Sequence, residues 1–185
     1  MLRTLFGRQA HANEYKLEPL ISSMFLQSFS CPIEEYNEYL FKDALRSQND
    51  SIAKTWLLRE RATGNIAAYM SLIADAIKLS ATEKELHNLN YPFRTIPALK
   101  IAKLAVSQVF SDKYKGIGSF MVEAAMSKAI GCNNDYCAVR FLTVDADIEH
   151  DAGILSFYEK NGFIQNAELY NKNRKTISMR KDIYR

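Results

Sequence analysis

At 185 residues and 21.1 kDa the chain is long enough to bury a full core as one domain, 1–185, without disulfide or metal staples. Its 48% hydrophobic and 24% charged residues exclude the disordered and low-complexity classes, and a net charge of +3 permits an anionic ligand or RNA partner without requiring one. No apolar run approaches the roughly 20 residues of a membrane span, and the first residues hold no continuous signal-peptide core, so a reduced, cytoplasmic protein with no membrane contact is expected.

Residues 14–17 can form a short first strand. Pro32 suits the first turn of a helix with Ser30 or Cys31 as cap, and Ile33, Tyr36, Leu40, Ala44 and Leu45 then share one helical stripe that ends at Asn49-Asp50-Ser51. Residues 52–59 and 66–77 are rich in strand formers and flank the turn Ala62-Thr63-Gly64-Asn65, which predicts a hairpin. Residues 79–97 break this pattern with a polar stretch, helical over 81–89, followed by Pro92 and Pro97. An insert over 80–97, serving as cover or interface, is expected there.

A strand over 98–107 follows, then a basic glycine-containing loop and a helix over 120–130. A β-rich stretch over 139–144 ends in Asp145-Ala146-Asp147, a helix covers 152–160, and strands cover 163–169 and 176–183. No repeat or linker divides the chain. The order predicts an α/β fold with a mixed, mostly antiparallel sheet of about seven strands flanked by helices.

Cys31, Cys132 and Cys137 form no CxxC pair and His11, His87 and His150 are scattered, so no metal site is expected. The stretch with most chemical content is Lys113-Tyr114-Lys115-Gly116-Ile117-Gly118-Ser119. A strand that passes through such a loop into a helix presents first-turn N–H groups with no intrahelical partner, a natural seat for phosphate. Gly116 and Gly118 let the backbone close on a bulky anion, and Lys113 and Lys115 add positive charge. Some forty residues later Phe157-Tyr158-Glu159-Lys160-Asn161-Gly162-Phe163 reads as a helix end, a glycine stop and a new strand.

Together these segments resemble the GNAT acetyltransferase superfamily over nearly the whole chain. That family carries a Gln/Arg-x-x-Gly-x-Gly/Ala loop after its fourth strand, matched here by Lys113-x-x-Gly116-x-Gly118. The lysine departs from the usual residue but keeps the charge. The Phe157–Phe163 segment matches the family's Phe/Leu-Tyr-x-Lys-x-Gly-Phe pattern. Phe29-Ser30-Cys31, Tyr36-Asn37-x-Tyr39-Leu40, Tyr69-x-Ser71-Leu72 and the run from Ile96 to Val106 are similar to the GNAT toxins of bacterial toxin–antitoxin pairs, which usually have arginine where this chain has Lys103.

The resemblance implies acetyl-CoA as co-substrate, its pyrophosphate on the amides of Lys115 to Ser119. The backbone of Leu104, Ala105 and Val106 would bind its pantetheine arm where strands four and five splay apart. It implies Tyr158 as the catalytic acid for the departing thiolate. The toxin likeness implies the α-amine of aminoacyl-tRNA as acceptor and an antitoxin protein as partner. A homodimer is the expected assembly. A small-molecule or protein amine is the alternative acceptor, and a non-catalytic CoA-binding module the alternative function.

The residues bear on the acceptor directly. No carboxylate lies in 98–107, where many family members place a glutamate base. An α-amine of pKa about 7.7–8.0 costs about 1–1.5 kcal/mol to deprotonate at pH 7, against roughly 4–5 kcal/mol for a lysine of pKa about 10.4, so a site without a strong base suits α-amines. Asp145 and Asp147 are candidates to take the proton through water, and Lys103 is a substrate-contact candidate. Lys100, Lys103, Lys172, Arg174, Lys175, Arg180, Lys181 and Arg185 are candidates to contact nucleic-acid phosphates.

Overall fold

The computed structural model describes residues 13–22, 24–166 and 175–184. Among these, the elements run β1 (Tyr15–Pro19), α1 (Glu34–Glu38), a π-helical turn (Tyr39–Asp43), α2 (Ala44–Asn49), β2 (Lys54–Glu60), β3 (Ile66–Ile77), α3 (Ala81–Leu86), β4 (Ile96–Val106), α4 (Gln108–Lys113), α5 (Ile117–Asp135), β5 (Phe141–Asp147), α6 (Ile154–Lys160), β6 (Ile164–Gln165) and β7 (Thr176–Asp182). The seven strands form one sheet in the order β1-β2-β3-β4-β5-β7-β6. Pairing is antiparallel for β1/β2, β2/β3, β5/β7 and β6/β7, and parallel for β4/β5 over Ala98–Ile101 and Phe141–Val144. The expected mixed, mostly antiparallel architecture is therefore present. No helix among the described residues is long and apolar enough to cross a membrane.

The chain divides into two compact units, Met1–Ile73 with Ala102–Ala124, and Ala74–Ile101 with Ala125–Arg185. In the first, Leu20, Phe29, Cys31, Leu40, Ala44, Leu57, Ile66 and Tyr69 form a core, with Ile33, Tyr36, Tyr39, Leu45 and Ala105 packed on it. Each large apolar side chain removed from water there contributes about 1.5–3 kcal/mol. Ile66 to Leu72 is buried at every position, the mark of a strand covered on both faces. The hairpin turn works as read: Gly64 has φ +75°, and a Cβ there would lie 2.9 Å from the Arg59 guanidinium.

The first helix differs from expectation. Ile33, not Ser30 or Cys31, stands at its N-cap and offers no side-chain acceptor. The buried Asn37 carboxamide instead reaches back, accepting from the Cys31 N–H and donating to the Cys31 carbonyl, both at 2.9 Å. A side chain one turn into the helix thus satisfies the backbone of the segment that leads into it.

In the second unit Ile77, Leu79, Ile96, Ala98 and Phe141 form a core with Leu89 against it. The insert carries α3, started by a capping box in which Ser80 Oγ accepts from the Glu83 N–H and Glu83 accepts from the Ser80 N–H. Strand β6 is two residues long, shorter than the expected 163–169, and residues 167–169 lie outside the described ones.

Candidate functional site

The glycine loop lies in the first unit, at the end of β4. Strand β4 is closed off by Ser107, whose N–H donates to the Ala67 carbonyl at 2.8 Å, and by the Gln108 N–H on the Ser30 carbonyl at 2.8 Å. A short helix not anticipated in the sequence, α4, follows at once, so Lys113 sits in its last turn rather than in the loop. The rings of Tyr15, Phe110 and Tyr114 meet pairwise with centroids 6.1–6.4 Å apart and fix both ends of this segment. Their spacing from strand to loop gave no helical stripe, which hid α4 from periodicity.

Gly116 has φ +91°, and its carbonyl accepts the first bond of α5, from the Phe120 N–H at 2.9 Å. The helix thus begins three residues earlier than expected, at Ile117, and runs to Asp135. Ile117, Gly118 and Ser119 form its first turn, where backbone N–H groups have no acceptor within the helix. Lys113 and Lys115 are exposed on the approach to it. This end fits an anionic group: a left-handed glycine at the cap, three amides in a turn, the positive pole of a 19-residue helix and two lysines. Leu104, Ala105 and Val106 are half-buried, and Ala105 packs on the Leu20–Tyr69 core. Lys103 points its ammonium at Tyr36, 4.6 Å from the ring centre.

Tyr158 lies in the second unit. It is the buried residue of α6, 4% exposed, whereas Ile154, Leu155 and Phe157 are half-buried. The Tyr158 ring meets Phe157 and Phe163 edge-on at 5.0 and 5.2 Å. Asn161 caps the helix, and Gly162 follows with φ +84°, the expected stop.

The two aspartates of β5 have separate partners: Asp145 pairs with Lys100 at 2.5 Å and Asp147 with His150 Nδ1 at 2.8 Å. Glu149 joins the latter, so that Asp147, Glu149 and His150 hold ligand-type atoms within 4.8 Å of one another. With His11, His87 and His150 scattered along the chain, the sequence predicts no metal site there.

The phosphate candidates need correction. Arg180 is 1% exposed, and its Nη1 donates to Glu83 Oε1 and Asn166 Oδ1, both at 2.6 Å. A guanidinium so enclosed cannot track phosphates. Lys175 pairs with Glu149 at 2.7 Å, and Lys181 donates to the Asn161 carbonyl at 2.8 Å. Lys172, Arg174 and Arg185 lie outside the described residues.

Arg180 belongs to a buried network that ties the insert to β7. Its Nε–H donates to His87 Nε2 at 3.3 Å. Arginine has no acceptor, so His87 carries its proton on Nδ1 and donates it to Asp182 Oδ2 at 2.9 Å. Arg140 Nη2 donates to the same oxygen at 2.7 Å. Burial alone would raise the Asp182 pKa, but these bonds together with the Tyr184 N–H hold it below the ordinary value.

A depressed carboxylate stabilises the fold above its unfolded pKa of about 3.9 and loses that contribution as pH falls through the native value. Thermal unfolding between pH 6 and 2 should therefore show wild type losing stability below about pH 4, with a shallower acid slope in Asp182→Asn. Equal slopes would show that Asp182 contributes nothing to the acid limb.

No protein-family model matches the chain, and no curated protein matches it. Solved structures do share its fold, which is the GNAT acetyltransferase fold. Toxins are among the structures that share it. AtaT complexed with acetyl-methionyl-tRNAfMet superposes with a TM-score of 0.73 at 20% identity, covering 89% of this chain and 93% of that one. A tyrosine-to-phenylalanine mutant of KacT gives 0.72 at 19% identity, covering 89% and 94%. A mutant AtaT toxin bound to the C-terminus of the antitoxin AtaR and acetyl-CoA gives 0.68 at 20% identity, covering 90% and 93%.

Proposed function

We propose that this chain is an acetyl-CoA-dependent N-acetyltransferase that transfers acetyl to a primary amine, the α-amine of an aminoacyl-tRNA, as the toxin of a toxin–antitoxin pair. The observation that carries the reading is the start of α5: Gly116 at positive φ, a first turn of Ile117-Gly118-Ser119 and flanking Lys113 and Lys115, in the fold of AtaT. Those amides would hold the pyrophosphate, and the backbone of Leu104, Ala105 and Val106 the pantetheine arm, beside β4 where it parts from β5. Tyr158 is the proposed acid for the thiolate. Strand β4 holds no carboxylate, which favours an acceptor with a low amine pKa. The reading also brings an antitoxin partner, a homodimer and a cytoplasmic setting.

Acetyl-CoA that binds only the native state should stabilise it by about 2.7 kcal/mol at a hundredfold excess over Kd. For a chain of this size that is a rise in Tm of about 5–10 °C. Gly118→Trp, which fills the first turn, should remove the rise. A Tm indifferent to excess acetyl-CoA in wild type would sink the co-substrate assignment. Induced expression should arrest growth and acetylate aminoacyl-tRNA in extracts. Normal growth with soluble, acetyl-CoA-binding protein would reassign the acceptor to a metabolite amine.

A further inference from the structure

Lys103 has an unusual seat. Its ammonium lies 4.6 Å from the centre of the Tyr36 ring and 6.0 Å from that of Tyr39, within the range where a ring face attracts a cation. The seat is itself held from beneath. Tyr39 stacks on Tyr69 at 6.3 Å and 21°, and the Tyr69 hydroxyl donates to the Tyr36 carbonyl at 2.9 Å. Tyr69 is fully buried, and burial pushes its pKa far above ordinary, so the hydroxyl stays a donor at any physiological pH.

The backbone departs from regular helix at the same place. The Ala44 N–H bonds to the Tyr39 carbonyl, an i to i+5 step, and Tyr39–Asp43 is a π-helical turn between two α-helical ones. Such turns are uncommon inside helices and concentrate at functional sites. Here Leu40 and Ala44 remain fully buried while Tyr36 and Tyr39 both stay half-exposed beside Lys103.

Charge completes the case. Among the phosphate candidates that lie in the described residues, Lys100 and Lys175 are neutralised by carboxylates and Arg180 is enclosed. Lys181 is held by a hydrogen bond to the Asn161 carbonyl. Among the described residues Lys103 has no carboxylate partner. A tyrosine face orients an ammonium without cancelling its charge, and a lysine so held meets an anion without first giving up a salt bridge. An ammonium is a compact point charge suited to a phosphate oxygen.

We propose that Lys103, seated on Tyr36 and Tyr39, is a preformed contact for a phosphodiester of an RNA acceptor. Lys103 makes the contact, and the two tyrosines are positioning residues. The proposal rests on the RNA-acceptor reading above and adds to it the residues that meet the backbone. A phosphate could also come from acetyl-CoA, and the two sources separate by measurement.

The test titrates deacylated total tRNA, and separately acetyl-CoA, against wild type, Lys103→Met, Lys103→Arg, Tyr36→Leu and Tyr36→Phe at several salt concentrations. Lys103→Met should weaken tRNA binding about tenfold at low salt and reduce the slope of log K against log salt by about 1, with acetyl-CoA affinity unchanged. Lys103→Arg should restore both. Tyr36→Leu should reproduce part of the loss and Tyr36→Phe little of it, because phenylalanine keeps the ring face.

Melting curves identify any variant that fails to fold, and the two positions provide independent variants. An unchanged salt slope in Lys103→Met overturns this proposal while leaving the acceptor reading intact. Weakened acetyl-CoA with unchanged tRNA overturns it in favour of the co-substrate's phosphates. Wild type that binds acetyl-CoA but no tRNA overturns the RNA-acceptor reading, and the proposal with it.

Discussion

Arg180→Leu is expected to destabilise the protein by about 3–5 kcal/mol, the usual cost of removing one partner from a buried ion pair. The guanidinium is 1% exposed and bonds to Glu83 Oε1, Asn166 Oδ1 and His87 Nε2. Leucine removes the guanidinium that bonds to Glu83 Oε1, from a carboxylate 8% exposed at the residue level. For a domain of this length the loss corresponds to a fall in Tm of about 6–20 °C. The double variant Glu83→Leu/Arg180→Leu should recover part of it, because it removes the stranded charge together with its partner. A loss under about 1 kcal/mol would mean that water already reaches Glu83. The insert would then rest on its capping box, on the His87–Asp182 bond and on the packing of Leu79, Leu89 and Ile96.

This network shows where sequence reading stops. Most strand positions, the hairpin turn and the glycine loop follow from local rules: strand-forming runs, Gly64 and Gly116 in left-handed conformations, and a helix after the loop. The Glu83–Arg180 and His87–Asp182 bonds join residues 97 and 95 positions apart, so no periodicity reports them. Read locally, the polar stretch 80–97 was a cover or interface, and Arg180 one of several candidates for nucleic-acid phosphates. The helix α4 was missed because six residues give no full stripe, and the N-cap because Ile33 has no side-chain acceptor to mark it. On the site side, the motif residues were legible because glycine at positive φ and a helix start impose composition. Lys103 was legible as a charge. Its tyrosine seat joins it to residues 67 and 64 positions away on another element, which no local pattern reports.

Tyr158→Phe is expected to lower kcat by about 10²- to 10⁴-fold, the range for a positioned general acid, equivalent to about 2.7–5.5 kcal/mol of transition-state stabilisation. Attack of an amine on a thioester expels a thiolate whose conjugate thiol has a pKa of about 8.5. A tyrosine hydroxyl aimed at the sulfur gains most as negative charge develops there, so its removal should reduce kcat and kcat/KM together and leave acetyl-CoA affinity nearly unchanged. The ring itself is a packing element, 4% exposed and edge-on to Phe157 and Phe163, and phenylalanine preserves that packing. Melting should therefore shift by no more than a few degrees. Leucine at 158 should cost both activity and stability, which sets a reference for damage to the core. Should Tyr158→Phe lose stability in proportion to activity, as the leucine variant does, Tyr158 is a structural side chain. Full activity in Tyr158→Phe would show instead that the sulfur takes its proton from another donor.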